Sequence, residues 1–437
     1  MKDGLRILLI SPQGEFLCRS EEFSRFMRES REIRTVLHYW NGIGAALPTI
    51  AALTPGEQEL RIIDENFEEV NLEEDYDIVA VTAMTQQAVR AYALADAARA
   101  RGAHVVLGGI HATVRPDEAQ AHADTVIVGE AERSWPRFIE DYAAGRPAAR
   151  YGHVGDEPVD LRTIPTPRYD LLANYHYPVL WIQTTRGCPH DCEFCSASRL
   201  FGWRYRHKDV DQVLAEVSEI RKHWRFAQIG FADDNMFVEK RHSRDLLDAF
   251  KTMRFTWLAQ SDVSVAKDQR LLDSLRESGC RILFIGFESV DGRNLENINT
   301  NGWKAKMSRR YGDYIRRIQA SGIGIYGSFI LGLDRDTPET VERTIEFIND
   351  TCLMGAQITI LTPFPGSRLA TRLQAEGRII HTDWQWYTAW NAVIRHPHFT
   401  PEELERSMLR IYRGIYNEES FVRRARHFKE ICSNLID

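Results

Sequence analysis

Residues 184–198, "TTRGCPHDCEFCSAS", decide how the rest of this chain is interpreted. They place Cys188, Cys192 and Cys195 in a Cys-x3-Cys-x2-Cys spacing. Three thiolates at this spacing can bind three corners of a cubane iron–sulfur cluster and leave the fourth iron without a protein ligand. A structural zinc site normally closes with four Cys or His ligands, and a ferredoxin-type cluster recruits a fourth cysteine. The run therefore predicts a cluster with one open coordination position.

Two other interpretations of the loop stay open from sequence alone. His190 lies inside the loop and could complete a zinc site, and the three neighbouring cysteines could instead be core thiols. Phe194 precedes the last cysteine, where an aromatic ring could shield a cluster or stack on a ligand. The apolar run before the loop, "YPVLWIQTT", predicts a buried strand that delivers it.

The spacing, with Phe194 before the third cysteine, resembles the signature of the radical S-adenosylmethionine (SAM) enzymes. The resemblance implies a four-iron four-sulfur cluster whose open iron binds the amino and carboxylate groups of SAM. One electron from the cluster then cleaves the sulfonium and yields a 5′-deoxyadenosyl radical. The resemblance also implies an external electron donor such as flavodoxin or ferredoxin.

Composition excludes several classes of protein. The 437 residues carry a formal net charge of −7, so nothing suggests an electrostatic grip on nucleic acid. The opening residues do not form a signal peptide, and no stretch approaches the roughly 18 to 20 apolar residues of a membrane span. We therefore expect a soluble, cytoplasmic protein. The four cysteines outside the loop lack pairing signals and are expected to be reduced: Cys18, Cys280, Cys352 and Cys432.

Residues 1–148 alternate short apolar runs with helix-length stretches. The runs are "RILLIS", "LRIIDEN", "DIVAVTAM", "HVVLGG" and "TVIVGE". This alternation predicts βαβ units and a doubly wound, Rossmann-like parallel sheet, in which ligands lie beyond the carboxyl ends of the strands. The residues predicted at those ends are Thr82, Met84, Thr85, Gly108, Gly109, His111, Gly129 and Glu130.

This half resembles the cobalamin-binding domain that precedes one large radical SAM class, through "GIGAALPTIAAL" in the first helix, "VVLGGIHATVRPDEA" and "ADTVIVGEAE". The resemblance implies that the strand-end residues above contact cobalamin. The Asp-x-His-x-x-Gly loop that supplies a histidine to cobalt in many B12 proteins is absent, as it commonly is in this class. His111 has three open roles: a corrinoid contact, a general base, or, as we favour, a hydrogen-bonding partner within its own loop.

The proline-interrupted residues 149–178 predict a connector. Residues 179–376 contain six strand-and-helix units, which fit the partial (β/α)6 barrel that the resemblance implies. Residues 377–437 predict a helical region, with Thr400 and Pro401 starting its main helix. Trp384, Trp386, Tyr387 and Trp390 are predicted to pack against the barrel or to line a substrate pocket.

Polar residues follow the predicted barrel strands at their carboxyl ends, where βα barrels collect catalytic groups. The resemblance implies SAM contacts for Glu288 in "GFES", for the backbone at Gly332 in "GSFILGL", and for polar residues after the second strand. The predicted SAM set is Phe194, Asp233, Asp234, Asn235, Gln260, Ser261, Glu288 and Gly332. The loop "TPFPGS" resembles the final-strand loop of the family.

Together these features predict a cobalamin-dependent radical SAM methyltransferase that acts on an unactivated carbon of a small molecule or lipid. One alternative uses the same radical for ring formation, rearrangement or other bond formation, with the first domain in a different or structural role. A tRNA methylthio-transferase is disfavoured because residues 1–150 contain only Cys18, whereas those relatives have three more cysteines there. A non-catalytic sensor of SAM or corrinoid is the remaining alternative. The substrate and the oligomeric state follow from no motif.

Overall fold

The structure is a computed structural model that describes residues 4–14, 19–33, 43–202 and 204–433. Cys18 lies outside these ranges. The strands are β1 Arg6–Ser11, β2 Ile43–Gly44, β3 Glu59–Asp64, β4 Ile78–Thr82, β5 His104–Gly108, β6 Thr125–Ile127, β7 Arg150–Tyr151, β8 Val179–Ile182, β9 Thr185–Arg186, β10 Arg206–His207, β11 Gln228–Phe231, β12 Trp257–Ser261, β13 Cys280–Glu288, β14 Gly324–Leu331 and β15 Gly355–Ile360.

Helices separate most of these strands. The α-helices are α1 Glu21–Glu29, α2 Ala46–Ala52, α3 Ala88–Ala100, α4 Gly109–Val114, α5 Pro116–His122, α6 Ala131–Ala143, α7 Ala197–Leu200, α8 Val210–His223, α9 Lys240–Met253, α10 Gln269–Glu277, α11 Gly292–Leu295, α12 Trp303–Ser308, α13 Tyr311–Ala320, α14 Pro338–Asp350, α15 Arg368–Ala375, α16 Pro401–Ile415 and α17 Glu418–Ser433. Short 3-10 helices cover Thr85–Gln87, Leu161–Thr163, Tyr169–Leu172, Val263–Lys267 and Trp384–Trp386.

The first sheet has the strand order β3-β1-β4-β5-β6-β7, and every pairing in it is parallel. Ile7, Leu8, Leu9 and Ile10 of β1 are all buried, because helices and the second domain cover both faces of the sheet. The predicted doubly wound sheet is confirmed. It gains β7 from the segment predicted as a connector. The stretch predicted as the first helix is α2, since α1 precedes it.

The second sheet is a curled partial barrel with the order β15-β14-β13-β12-β11-β8-β2 and only parallel pairings. Six of its strands come from the six predicted units, which confirms the (β/α)6 architecture. The sequence did not predict the seventh strand. Residues Ile43 and Gly44 of β2 pair with Leu180 and Trp181, so the chain's first part extends the barrel at its β8 edge.

Two tyrosines close the opposite edge of the barrel: Tyr412 in α16, and Tyr416 directly after that helix. The hydroxyl of Tyr412 accepts from the Ile358 amide and donates to its carbonyl, both at 3.1 Å. Tyr416 does the same for Ala356, at 2.9 and 2.8 Å. These bonds satisfy backbone groups that an edge strand otherwise leaves unpaired. Thr400 caps α16 by accepting from the Glu403 amide, as predicted.

Loops at the carboxyl ends of the two sheets meet. Glu130, after β6, contacts Arg186 of β9, which follows β8. A Cβ atom added to Gly366, after β15, would lie 2.8 Å from Val114 at the end of α4. The carboxyl ends of the two sets of strands therefore adjoin each other. No helix in the described ranges is long and apolar enough to cross a membrane.

Candidate functional site

The cysteine loop leaves the barrel between β9 and β10 and is fixed at several points. Gly187 begins it with φ = 94°, and a Cβ there would lie 2.6 Å from the Arg204 carbonyl, so only glycine fits. At its centre, Glu193 donates its amide to the Ile298 carbonyl and accepts from the Leu369 amide. Arg372 binds the Glu193 carboxylate at 2.8 Å. The loop is thus held to the segments that follow β13 and β15.

The cysteine side chains lie in a largely desolvated place. Cys192 is buried, and Cys188 and Cys195 are half-buried. Burial raises the pKa of Cys188 to about 11 and that of Cys192 to about 12. Thiolates are the form that binds iron, so cluster binding must displace protons from these residues. Three thiols together in a protected loop are a suitable donor set for an iron–sulfur cluster.

The geometry does not favour a single metal ion. No group of three His, Cys, Asp or Glu side chains in the described ranges is arranged to hold one. A cubane cluster does not require the three thiolates to converge on one ion, because each thiolate binds a different iron. His190, the candidate fourth zinc ligand, instead lies 3.0 Å from Asp262 and against the Trp303 ring at 4.3 Å.

The polar residues after β11 divide into separate roles. Asp233 is fully buried and accepts from the amides of Thr184 and Thr185 and from the Thr184 hydroxyl. Burial raises its pKa to about 6, although these hydrogen bonds favour the charged form. Asp233 thereby ties β11 to the chain that leads into the cysteine loop. Asp234 accepts from the Gly187 amide at 3.3 Å, at the start of that loop.

Asn235 and the end of β12 form one network with the loop histidine. Asp262 accepts from the side-chain Nδ2 of Asn235 at 2.7 Å and from the backbone amide of Ser264 at 2.7 Å, and its other near neighbour is His190 at 3.0 Å. Burial opposes ionisation of Asp262, but the hydrogen bonds from His190 and Ser264 outweigh it and lower its pKa to about 2. Ser261 is buried beside Asn235, and Gln260 is half-buried.

Glu288 ends β13 with φ = 67°, which is unusual for a residue other than glycine. Its Oε1 accepts from Lys304 Nζ at 2.7 Å, and both side chains are 8% exposed. Burial opposes the charge on Lys304, yet Glu288 and then Cys192 hold its pKa above the usual value. Lys304 had no signal in the sequence, because it lies in a short helix sixteen residues beyond Glu288 and no motif marks it.

Gly332, the predicted backbone contact for adenine, follows β14 with φ = 98°. Asp336 accepts from the amides of Gly332 and Leu333 and from the side chain of Asn294. Burial raises the pKa of Asp336 to about 7. This carboxyl fixes the backbone of the turn that follows β14. Phe194 is half-buried and packs against the hydrophobic core beside the cysteine loop.

The ends of β4, β5 and β6 present closely packed turns suited to a flat ligand. Gly109 has φ = 88°, and a Cβ there would lie 2.6 Å from Thr82 Oγ1. Met84 and Ile110 are exposed beside these turns, at 48% and 39% of their surface. Thr85 is buried, and Gly108 contributes the backbone before Gly109. An apolar, glycine-edged surface of this kind fits a corrin ring.

His111 is buried, unlike the neighbouring Ile110. It is 1% exposed, with Nε2 3.5 Å from Glu118 in α5 and its ring centroid 5.3 Å from that of Trp384. Trp384 also donates to Glu118 at 2.7 Å. The favoured role was a hydrogen bond within its own loop, whereas Nε2 lies within 3.5 Å of the Glu118 carboxylate in the following helix and Nδ1 has no hydrogen-bond partner among the described residues. The same contacts place the aromatic segment around Trp384 on the first domain rather than on the barrel alone.

Glu130 was predicted as a cobalamin contact, yet its carboxylate is occupied by protein. Arg186 donates to it at 2.7 Å, Arg206 at 2.9 Å, and the Val159 amide at 2.8 Å. Burial opposes its ionisation, but Arg186 and the Val159 amide help lower its pKa. The pairing of these two arginines with Glu130 could not be predicted from the sequence, because each flanks the cysteine loop without forming part of a motif.

Family models match both halves of the chain. Residues 182–348 match the radical SAM superfamily, and residues 53–139 match the B12 binding domain. Bacteriochlorophyllide d C-8(2)-methyltransferase of Chlorobaculum tepidum is 28% identical over 90% of this chain and 89% of its own length. An uncharacterized methyltransferase of Pyrococcus horikoshii is 30% identical over 85% of this chain and 87% of its own length.

Two further matches bear on the reaction and the fold. Anaerobic magnesium-protoporphyrin IX monomethyl ester cyclase of Cereibacter sphaeroides is 27% identical over 79% of this chain and 60% of its own length. The solved structure of the cobalamin-dependent SAM radical enzyme OxsB superposes with a TM-score of 0.69 at 14% identity, over 90% of this chain and 65% of that one. The matches confirm the predicted family, enzyme class and fold. This chain belongs to the radical SAM superfamily, with a B12 binding domain ahead of the radical SAM domain.

Proposed function

We propose that this chain reductively cleaves SAM and uses cobalamin to methylate an unactivated carbon of a small molecule or lipid. The observation that carries the proposal is the meeting of the two sheets. The cysteine loop follows β8 and β9, and the turns suited to a corrin follow β5 and β6. Direct contact between Glu130 and Arg186 brings the two sets of turns together.

Cys188, Cys192 and Cys195 would hold a 4Fe–4S cluster, and the open iron would take the amino and carboxylate groups of SAM. Near it, the described residues offer Glu288, Lys304 and the Asp234 carboxylate. Ionic groups at such a buried site orient a charged ligand and keep it from water. We propose Asp234, Gln260, Glu288 and the Gly332 backbone as SAM contacts, whereas Asp233 and Asn235 support the loop.

Met84, Ile110 and the glycine turns at Gly109 and Gly129 would face the corrin. Cobalamin held there would supply methyl-transfer chemistry, and the radical SAM site would supply removal of hydrogen from the substrate carbon. The protein's part is to align the substrate carbon with both cofactors and to exclude water. The likeness to bacteriochlorophyllide methyltransferase supports a large apolar substrate.

A second candidate is ring formation without methyl transfer, which the likeness to the anaerobic cyclase favours. The two functions differ in the fate of SAM. Anaerobically reconstituted protein, incubated with SAM, hydroxocobalamin and titanium(III) citrate, should yield both S-adenosylhomocysteine and 5′-deoxyadenosine if it is a methyltransferase. Formation of 5′-deoxyadenosine alone, with no corrin absorption retained after gel filtration, would favour the second candidate.

A further inference from the structure

The turn after β6 is fastened to the cysteine loop by a buried network of charges. Glu130 accepts from Arg186 at 2.7 Å and from Arg206 at 2.9 Å, and these three side chains are only 11%, 13% and 9% exposed. Arg186 also binds Glu132 at 2.5 Å, and that carboxylate is 9% exposed. Two arginines from the radical SAM domain thus face two carboxylates from the B12 binding domain, all largely out of water.

Both arginines flank the cysteine loop. Arg186 of β9 and Arg206 of β10 are register partners, so they close the hairpin from which the loop emerges. Cys188 lies two residues after Arg186. Arg186 Nε further donates to Gln183 at 2.7 Å, and Arg206 donates to the carbonyls of Val159 and Phe201. Each guanidinium is therefore fixed in orientation as well as paired in charge.

On the other side, the network continues into the turns proposed to face the corrin. The Gly129 amide donates to Thr113 Oγ1 at 3.0 Å, and that hydroxyl donates to the Gly109 carbonyl at 2.8 Å. Gly109 in turn packs against the end of β4, where no Cβ would fit. Hydrogen bonds thus join Gly109 and Thr113 to Gly129, the peptide bond joins Gly129 to Glu130, and the Glu130 carboxylate binds the two arginines beside the cysteine loop.

We propose that Glu130 is a positioning residue that fixes the corrin-facing turns relative to the cysteine loop. This inference rests on the proposed function. Methyl transfer out of SAM requires a fixed position of the cysteine loop relative to the corrin-facing turns. Reductive cleavage of SAM requires only the cysteine loop. Small displacements of aligned groups cost rate steeply. Loosening the network should therefore impair the first reaction and spare the second.

Amide hydrogen exchange of the full chain without cofactors tests whether Glu130 attaches the turn after β6 to the cysteine loop. Glu130→Gln removes the charge and one acceptor, and Glu130→Asp keeps the charge but shortens its reach. Glu157→Gln is the matched control, since that carboxylate is 86% exposed and 3.8 Å from Arg133. We expect both Glu130 variants, but not the control, to exchange about ten-fold faster in residues 125–130 and 185–187. Wild-type exchange there in both variants would overturn the proposal.

The functional readout is the ratio of two products in a single turnover with SAM, hydroxocobalamin and titanium(III) citrate, which supplies the electrons. S-adenosylhomocysteine reports methyl transfer out of SAM, and 5′-deoxyadenosine reports reductive cleavage. We expect Glu130→Asp to lower this ratio about ten-fold with 5′-deoxyadenosine formation little changed. Equal loss of both products in proportion to folded protein would mean a purely structural role and would overturn the proposal. Lack of S-adenosylhomocysteine in the wild type would instead contradict the proposed function, and the exchange result would still decide the fastening.

Discussion

Lys304 Nζ donates a hydrogen bond of 2.7 Å to Glu288 Oε1, and the pair is buried beside the cluster-binding loop. The ammonium also donates to the Gly286 carbonyl at 2.7 Å. Desolvation of two charges is costly, so such a pair persists where its members have further partners or a ligand to bind. Under the proposed function a SAM molecule, with an ammonium and a carboxylate of its own, would be that ligand.

Removing one member of the pair should cost more than removing both. Lys304→Met leaves the Glu288 carboxylate buried without its partner, and we expect a loss of about 3 to 5 kcal/mol in the free energy of unfolding. The double variant Glu288→Gln with Lys304→Met should recover much of that loss, because no net charge remains. Urea denaturation of the wild type, both single variants and the double variant measures the coupling. Additive losses would contradict a direct ion pair.

Asp233 should contribute to stability in a way that depends on pH. Its pKa of about 6 lies above the value of about 3.9 in an unfolded chain. Its contribution is therefore fully present below about pH 4 and is lost as pH rises through about 6, by roughly 2 to 3 kcal/mol. Asp233→Asn does not titrate, so its deficit in unfolding free energy relative to wild type should shrink between pH 4.5 and 7.5. A deficit that is constant across this range would contradict the assignment.

Tyr412 and Tyr416 should protect the open edge of the barrel. Tyr416→Phe leaves the amide and carbonyl of Ala356 without that partner, which we expect to cost about 1 to 3 kcal/mol. Exposed strand edges also pair with other chains, so the double Phe variant should aggregate more readily. Thermal unfolding and light scattering measure both effects. Tyr314→Phe is a control, since it is likewise buried but lies on α13, away from this edge.

Substitution of a loop cysteine should remove the cluster, whereas substitution of a cysteine outside the loop should not. Cys192→Ser should abolish the iron–sulfur absorption and the cleavage of SAM, because two remaining thiolates cannot hold a cubane cluster against loss of iron. Cys352→Ser, at a half-buried position outside the loop, should retain both. Iron analysis and visible absorption after anaerobic reconstitution measure the difference. Loss of iron from the Cys352 variant would indicate a different set of ligands.

Local patterns in the sequence predicted most of the fold. Apolar runs located five strands of the first sheet and the six barrel strands, because buried parallel strands are recognisable from their own composition. The pairing of Ile43 and Gly44 with β8 escaped prediction, since two residues carry no periodicity and the pairing joins distant parts of the chain. The Thr400 cap was predictable from neighbouring residues alone.

Site residues that belong to a local motif were predictable from the sequence. Site residues that the fold brings in from distant parts of the chain were not. The cysteine spacing and the strand-end position of Glu288 follow from local sequence. The partners Lys304, Arg186 and Arg206 do not, because charged residues are common on surfaces and only the fold buries these three. The spacing of Tyr412 and Tyr416, one helical turn apart, was a usable signal of a shared face.

The three loop cysteines are expected to bind a cluster with an open iron that takes SAM. The most direct test is electron paramagnetic resonance of the anaerobically reconstituted, dithionite-reduced protein before and after addition of SAM. We predict about four iron atoms per chain and a reduced-cluster signal that shifts when SAM is added. Zinc in place of iron, or a cluster signal unchanged by SAM, would contradict the account.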